Sequence, residues 1–162
     1  MQPPEKPKTT LLVVDDEKHI RRLLAKVAER AGFDVDTARD GVEALELLAK
    51  KDYVIAIVDL MMPRLSGYEL VQQISTLKPR PVVIVATALT NGDVASLDDS
   101  MVRRVIRKPF DIQAVAEALV ETARRIADDG AREGTTILQA AADATPIALS
   151  GPLAPPPPED PE

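Results

Sequence analysis

Four short apolar runs in this chain each lead to a polar residue that can bind a cation or an anion. The runs cover residues 11–14, 54–58, 82–86 and 105–106, and the polar residues after them are Asp15 with Asp16, Asp59, Thr87 and Lys108. Apolar runs bounded by charged or turn residues are typical of buried strands. Buried strands that alternate with helices form a parallel sheet covered on both faces.

Helical patterns fill the intervals between these strands. Apolar residues over 20–31 repeat at helical spacing, and Gly32 is a suitable stop. N-terminal caps are predicted at Asp40 with Glu43, Ser66 with Glu69, and Asp111. Residues 33–38 alternate like a strand near a sheet edge, and the weakest helix is expected over about 93–102. The chain therefore predicts an α/β fold: a doubly wound, flavodoxin-like sheet of five parallel strands in the order 2-1-3-4-5, with helices on both faces.

The polar residues at the strand ends are expected to share one edge of this sheet. Parallel strands point the same way, and open α/β sheets bind ligands outside their carboxyl ends. Three carboxylates at one place repel each other unless a cation joins them, and hard oxygen ligands suit Mg²⁺. Asp59 is the most informative of them, because an acid after five apolar residues is costly without a partner.

Together these residues resemble the receiver domain of two-component response regulators. The resemblance rests on Asp15-Asp16, on Asp59-Leu60-Met61-Met62-Pro63, on Thr87-Ala88 and on Lys108-Pro109-Phe110. It covers residues 9–127 and implies the same strand order. Each motif is weak alone, whereas five in order at predicted strand ends are specific.

The resemblance implies a magnesium-dependent phosphoacceptor. Asp59 would take a phosphoryl group and become an acyl phosphate. Mg²⁺ would be bound directly by Asp16, Asp59 and the backbone carbonyl of Met61, with Asp15 behind them through a water molecule. These oxygen ligands are the kind that Mg²⁺ prefers.

Two further residues would bind the phosphoryl oxygens. Lys108 would contact Asp59 before the reaction and a phosphate oxygen afterwards, and Thr87 would bind another oxygen and move inward. Receivers usually hold the Lys108–Pro109 bond cis, a form that peptide bonds before proline tolerate best. Val105 departs from the family, which commonly has an aromatic residue there. A β-branched valine has little rotamer freedom, so the usual coupling to the threonine is in doubt.

Self-dephosphorylation is expected to be slow in this chain. By the receiver layout, Met61 and Leu89 flank the path of the attacking water. Both are apolar, so neither can orient a water molecule by hydrogen bonding.

The first functional hypothesis is a stand-alone receiver, a signalling phosphoacceptor rather than an enzyme. A sensor histidine kinase or a histidine phosphotransfer protein would phosphorylate it, and it would then bind a downstream protein target or pass the phosphoryl group on. Its arginines at 103, 104 and 107 favour an acidic partner surface. A monomer or weak dimer is expected.

Other interpretations of the same residues remain. Asp15 and Asp16 could be a helix cap with a first-turn acid, Thr87 a strand end, and His19 a solvated helix residue. A haloacid-dehalogenase-type phosphohydrolase also uses a strand-end aspartate, but Met61 stands where such enzymes have a second acid. A flavodoxin-type cofactor protein needs a phosphate-binding loop after the first strand, and acids occupy that place.

Composition sets the remaining expectations. The net charge of −6 argues against a nucleic-acid partner, and the absence of cysteine excludes disulfides and cysteine metal sites. No apolar stretch suggests a membrane span or signal peptide, so a cytoplasmic protein without membrane contact is expected. Residues 1–8 are expected to be a disordered N-terminus, 9–127 the receiver domain, and 128–162 a disordered Pro/Ala-rich tail with a transient helix over 137–144.

Overall fold

The computed structural model describes residues 8–88, 97 and 100–144, with side chains of the last helix described through residue 129. In chain order the elements are β1 (Thr10–Val14), α1 (Lys18–Arg30), β2 (Asp34–Ala38), α2 (Gly41–Lys50), β3 (Ile55–Val58), α3 (Gly67–Ile74), β4 (Val82–Thr87), β5 (Val102–Arg107) and α4 (Ile112–Ala144). The chain divides into two compact units, Met1–Val120 and Glu121–Glu162. The sheet lies entirely within the first unit.

The five strands form one parallel sheet in the order β2-β1-β3-β4-β5. This order confirms the sequence prediction. The order reverses beside β1, since β2 lies on one side of it and β3 on the other. In sheets of this kind the reversal opens a crevice at the carboxyl ends of the strands.

Both faces of the sheet are buried, which explains why its central strands are continuously apolar. On one face α2 and α3 cover the strands; the cluster includes Leu12, Val14, Ala56, Val58, Val83 and Val85 with Ala44, Leu48, Leu70, Val71 and Ile74. The alternate strand residues Leu11, Val13, Ile55, Ile57 and Ile84 are fully buried as well. Burying each such side chain contributes roughly 1.5–3 kcal/mol.

The predicted helix caps are confirmed. Asp40 Oδ1 accepts a hydrogen bond from the Glu43 N–H at 2.8 Å, and Ser66 forms a reciprocal capping box with Glu69. Asp111 Oδ1 accepts from the N–H groups of Gln113 and Ala114. Gly32 ends α1 with a positive φ of 101°, a conformation that costs glycine little.

The start of β5 differs from the prediction. The strand begins at Val102 rather than 105, although the weak helix was expected to extend to 102. Most of that predicted helix lies outside the described residues. A register shift between Val83 and Ile84 leaves Arg103 without a partner in the ladder. Because β5 is an edge strand, it accommodates charged residues and a bulge that the apolar pattern did not reveal.

The end of the last helix also differs from the prediction. The helix α4 continues to Ala144, past residue 127, where the receiver domain was expected to end. The disorder expected over residues 128–162 stays a prediction. Gly130 and Gly134 each cost a helix about 1 kcal/mol, and alanine is the strongest helix former, so the alanine-rich segment over 140–144 supports the continuation. Residues 145–162 and 1–7 of the predicted tails lie outside the described residues. In the described part of the chain, no helix is long and apolar enough to cross a membrane.

Candidate functional site

The structure brings the polar residues predicted at the strand ends to one edge of the sheet. Asp15 follows β1, Asp59 follows β3, Thr87 ends β4 and Lys108 follows β5. Backbone hydrogen bonds join neighbours across this edge: the Asp59 N–H donates to the Val14 carbonyl at 3.0 Å, and the Lys108 N–H donates to the Thr87 carbonyl at 2.9 Å. The position of each residue is therefore fixed by the sheet itself.

Lys108 is the cation at the centre of this site. Its Nζ lies 2.8 Å from Asp15 Oδ2, 3.3 Å from Asp59 Oδ2 and 3.5 Å from Glu17 Oε1. The side chains of Asp15 and Asp59 are only 1% and 5% exposed. Buried charges of this kind require a partner of opposite sign, and here one ammonium faces three carboxylates.

The pKa values of the site reflect first the burial of its charged groups and then the charges that face one another. Burial raises the pKa of Asp15 and of Asp59, and the hydrogen bonds and charge of Lys108 offset that effect only in part. Burial by itself lowers the pKa of Lys108, but the hydrogen bonds and charges of the two aspartates outweigh it and raise the pKa. The site therefore favours the arrival of a further cation.

The acidic cluster (Asp15, Glu17 and Asp59) has the donors and the dimensions of a metal site. One carboxylate oxygen from each residue lies within 4.8 Å of the others. Mg²⁺ binds oxygen at about 2.1 Å, so small movements would bring these oxygens around one ion. Asp16, the predicted direct ligand, has an exposed side chain and lies outside this cluster. Its role as a ligand stays a prediction.

Glu17 was not predicted as a site residue. It occupies the N-cap position of α1, yet its side chain accepts no capping hydrogen bond from the helix. Glutamate is not among the residues preferred at helix N-caps, so helix capping does not account for a glutamate at this position. That exception is the sequence signal that could have indicated a role beside Lys108.

Both carboxylate oxygens of Asp59 have a donor within reach. The Met61 N–H donates to Oδ1 at 3.1 Å, and Lys108 Nζ donates to Oδ2 at 3.3 Å. The side chain of Met61 points away from the core and is 60% exposed. The loop after β3 thus orients the carboxylate through its backbone and leaves an apolar side chain at the surface.

Four further sequence expectations concern residues on β4, on β5 and in the loops that follow them. Thr87 is fully buried at the end of β4, and the Lys108–Pro109 bond is cis, as predicted. Val105 stands where the family commonly has an aromatic residue. Its side chain is partly buried and packs against the core cluster. Leu89, expected to flank the water path, lies outside the described residues.

Comparison with known sequences identifies what the chain is similar to. The family profile described as "Response regulator receiver domain" matches residues 11–120. The response regulator ArlR of Staphylococcus saprophyticus is 32% identical over 118 residues, which are 72% of this chain and 53% of that protein. The transcriptional regulatory protein ResD of Bacillus subtilis is 34% identical over 122 residues, 72% of this chain and 49% of that protein. The chain thus spans about half the length of these curated relatives.

Solved structures show the same likeness in three dimensions. The chemotaxis response regulator CheY4 of Vibrio cholerae superposes with a TM-score of 0.65 at 25% identity, over 71% of this chain and 98% of that one. The response regulator TrrA of Thermotoga maritima, solved in complex with Mg²⁺ and BeF, has a TM-score of 0.63 at 31% identity, over 70% of this chain and 97% of that one.

Proposed function

Because the chain belongs to the family of response regulator receiver domains, we propose that it accepts a phosphoryl group on Asp59 and that this changes its contacts with other proteins. The observation that supports the proposal most directly is the environment of Asp59. Its carboxylate is buried, carries a raised pKa, and lies between the ammonium of Lys108 and the N–H of Met61. Such a group is poised to react rather than to stabilise the fold.

The acyl phosphate forms in one displacement. A carboxylate oxygen of Asp59 bonds to phosphorus as the phosphorus–nitrogen bond of a phosphohistidine breaks, and the leaving imidazole keeps the electron pair and takes a proton. This displacement is opposed by the repulsion between the Asp59 carboxylate and the negatively charged phosphoryl group. Asp16, Asp59 and the Met61 carbonyl would hold Mg²⁺, with Asp15 behind them, and the ion would supply positive charge that relieves this repulsion.

The residues of the chain itself orient the Asp59 carboxylate and neutralise the charge of the phosphoryl group. The Met61 N–H holds one oxygen of Asp59, which leaves the oxygen near Lys108 to react. After transfer, Lys108 moves its hydrogen bond from the carboxylate to a phosphate oxygen, and Thr87 donates to another. Glu17, with its carboxylate 3.5 Å from Lys108, stabilises the ammonium during this exchange.

The partners we propose are proteins. The phosphoryl donor is a sensor histidine kinase or a histidine phosphotransfer protein, and the output is binding of a downstream protein or transfer of the phosphoryl group onward. ResD is described as a transcriptional regulatory protein, but the net charge of −6 of this chain disfavours contact with a phosphate backbone. Back-transfer to a histidine phosphotransfer protein distinguishes a shuttle from an effector.

Asp59→Asn is expected to abolish covalent labelling. With acetyl phosphate and Mg²⁺, intact mass spectrometry should show one phosphoryl group on the wild type and none on the variant, because the amide is not a nucleophile. Chelation of Mg²⁺ before the donor is added should prevent labelling of the wild type. The control is Asp52→Asn, the same substitution at the exposed opposite end of β3, which should label fully. Labelling of Asp59→Asn at the wild-type level would refute the proposal.

Met61→Asn is expected to shorten the lifetime of the phosphorylated protein by about tenfold. The exposed thioether cannot orient a water molecule, whereas an amide can, and positioned general-base or water contacts are worth at least this factor. Phosphate release after removal of the donor measures the rate. Val120→Asn, at another exposed apolar residue, is the matched control. If release from Met61→Asn matches the wild type, this side chain does not shield the site.

A further inference from the structure

The loop between β3 and α3 carries an arginine in an unusual backbone conformation. Arg64 has a φ of 66°, in the left-handed region that side chains other than glycine, asparagine and aspartate rarely adopt. It is the one such residue apart from glycine in the described chain. A strained residue persists only where its surroundings hold it, and such residues gather at functional sites.

Two contacts hold this part of the loop, and both reach the start of α2. Arg64 Nη2 donates to Oδ2 of Asp40, whose side chain is only 6% exposed. Next to it, Leu65 packs on Gly41 so closely that a Cβ there would lie 2.7 Å from Leu65 Cδ2. The exposed guanidinium of Arg64 is therefore paired with a buried carboxylate, and a buried charge is costly to leave without a partner.

The start of α2 is in turn joined to the acidic cluster. The strand β2 ends at Ala38, two residues before Asp40. The carbonyl of Ala38 accepts a hydrogen bond from the Asp15 N–H at 3.2 Å. On the other side, the loop that contains Arg64 begins with Asp59 and the Met61 N–H that orients it. The Asp40–Arg64 pair thus joins the loop after β2, whose preceding residue Ala38 is hydrogen-bonded to Asp15, to the loop after β3, which begins with Asp59.

We propose that Asp40 and Arg64 are positioning residues that hold the Met61 backbone in place and so set the affinity of the site for Mg²⁺. The inference rests on the proposed function, since the Met61 carbonyl is one of the ligands assigned there. Without the ion pair, the backbone at Arg64 is free to leave the left-handed region. The peptide groups before Arg64 then sample other orientations, and the Met61 carbonyl is held less firmly in the orientation that Mg²⁺ needs.

The chain offers substitutions that remove the ion pair and leave the backbone preferences in place. Arg64→Met keeps an unbranched side chain with a similar backbone preference but has no cation to pair with Asp40. Asp40→Asn remains a good N-cap for α2 and loses only the charge. Arg64→Lys restores a cation and serves as the rescue, because a single Nη2 donor is all that the contact uses. Arg125→Asn, which breaks the exposed Arg125–Glu121 pair on α4, is the control.

Two measurements on the full chain test the proposal. Calorimetric titration with MgCl₂ should show affinity about fivefold weaker for Arg64→Met and for Asp40→Asn. The double variant should be no weaker than Asp40→Asn alone, because Asp40→Asn already removes the Arg64–Asp40 pair together with the longer contact of Arg39 Nε with Asp40 at 3.9 Å. In metal-free protein, deuterium exchange of the Met61 amide should be faster by a similar factor. Arg64→Lys should recover most of both effects, and Arg125→Asn should change neither.

The outcomes separate this inference from the function it rests on. If wild-type protein binds Mg²⁺ and both variants match its affinity and its Met61 exchange rate, the positioning role is wrong and the phosphoacceptor stands. Additive losses in the double variant would also overturn it, since the two residues would then act independently. If neither wild-type protein nor its Asp59→Asn variant binds Mg²⁺, the proposed function fails, and the Met61 exchange rate alone decides the role of the ion pair.

Discussion

Gly67→Ala should lower the free energy of unfolding by about 3 kcal/mol, the upper range for overpacking a buried site. A Cβ on Gly67 would lie 2.1 Å from the carbonyl oxygen of Asp59 and 2.5 Å from the Cα of Leu60. Both atoms are backbone at the end of β3, and the Gly67 N–H also donates to the Leu60 carbonyl at 3.1 Å. Neither side can move without displacing Asp59. Urea denaturation of the metal-free protein measures the loss.

Gly32→Ala is the matched control for this prediction. No atom lies within 4 Å of a Cβ there, and the substitution meets only the positive φ of 101°. Its expected cost is about 1 kcal/mol. If Gly67→Ala costs no more than Gly32→Ala, then the loop after β3 can shift freely and the close approach of α3 does not fix Asp59.

Lys108→Ala should destabilise the metal-free protein by about 3 kcal/mol, and added Mg²⁺ should restore the lost stability. The variant leaves Asp15 and Asp59 buried with no ammonium, and unpaired buried charges are costly. A bound cation replaces the missing charge, so the affinity for Mg²⁺ should be equal or greater. Chemical denaturation with and without MgCl₂ measures both. Lys51→Ala, which removes an exposed lysine paired with Asp34 and Asp36, should cost less than about 1 kcal/mol.

The pH dependence of the Lys108→Ala variant follows from the same charges. The folded-state pKa values of Asp15 and Asp59 are raised above the ordinary value of 3.8, so the folded protein binds protons more tightly than the unfolded chain. The free energy of unfolding of the Lys108→Ala variant should therefore rise as the pH falls through those pKa values toward 3.8. A variant whose stability is independent of pH from neutral to mildly acid solution, or one that loses Mg²⁺ affinity, would contradict the assignment of Lys108.

The fold was predictable because its signals are local. Apolar runs, their polar ends and the capping pairs at Asp40 and Ser66 lie within a few residues of each other, and each specifies one element. The order of the strands follows from general rules on parallel sheets. The end of α4 was not predictable in this way, because glycines at 130 and 134 weaken a helix without determining where it stops.

The site was predictable in part, for a related reason. Asp15, Asp59 and Lys108 come together because each stands at a strand end, so the sheet decides their proximity. The contact of Glu17 with Lys108 joins residues 91 positions apart, and that of Arg64 with Asp40 joins residues 24 positions apart. Such contacts depend on which rotamer a surface side chain adopts, and no periodicity in the sequence records that choice.

The charged outer strands also affect how molecules of this protein meet one another. Each edge of an open sheet offers unpaired backbone groups that another chain can extend into an aggregate. Here one edge strand carries Asp34 and Asp36, and the other carries Arg103 at its bulge with Arg104 beside it. Two copies that joined like edges would bring like charges face to face. The charges therefore disfavour dimers that form through like edges, whereas the acidic edge of one copy and the basic edge of another would attract each other.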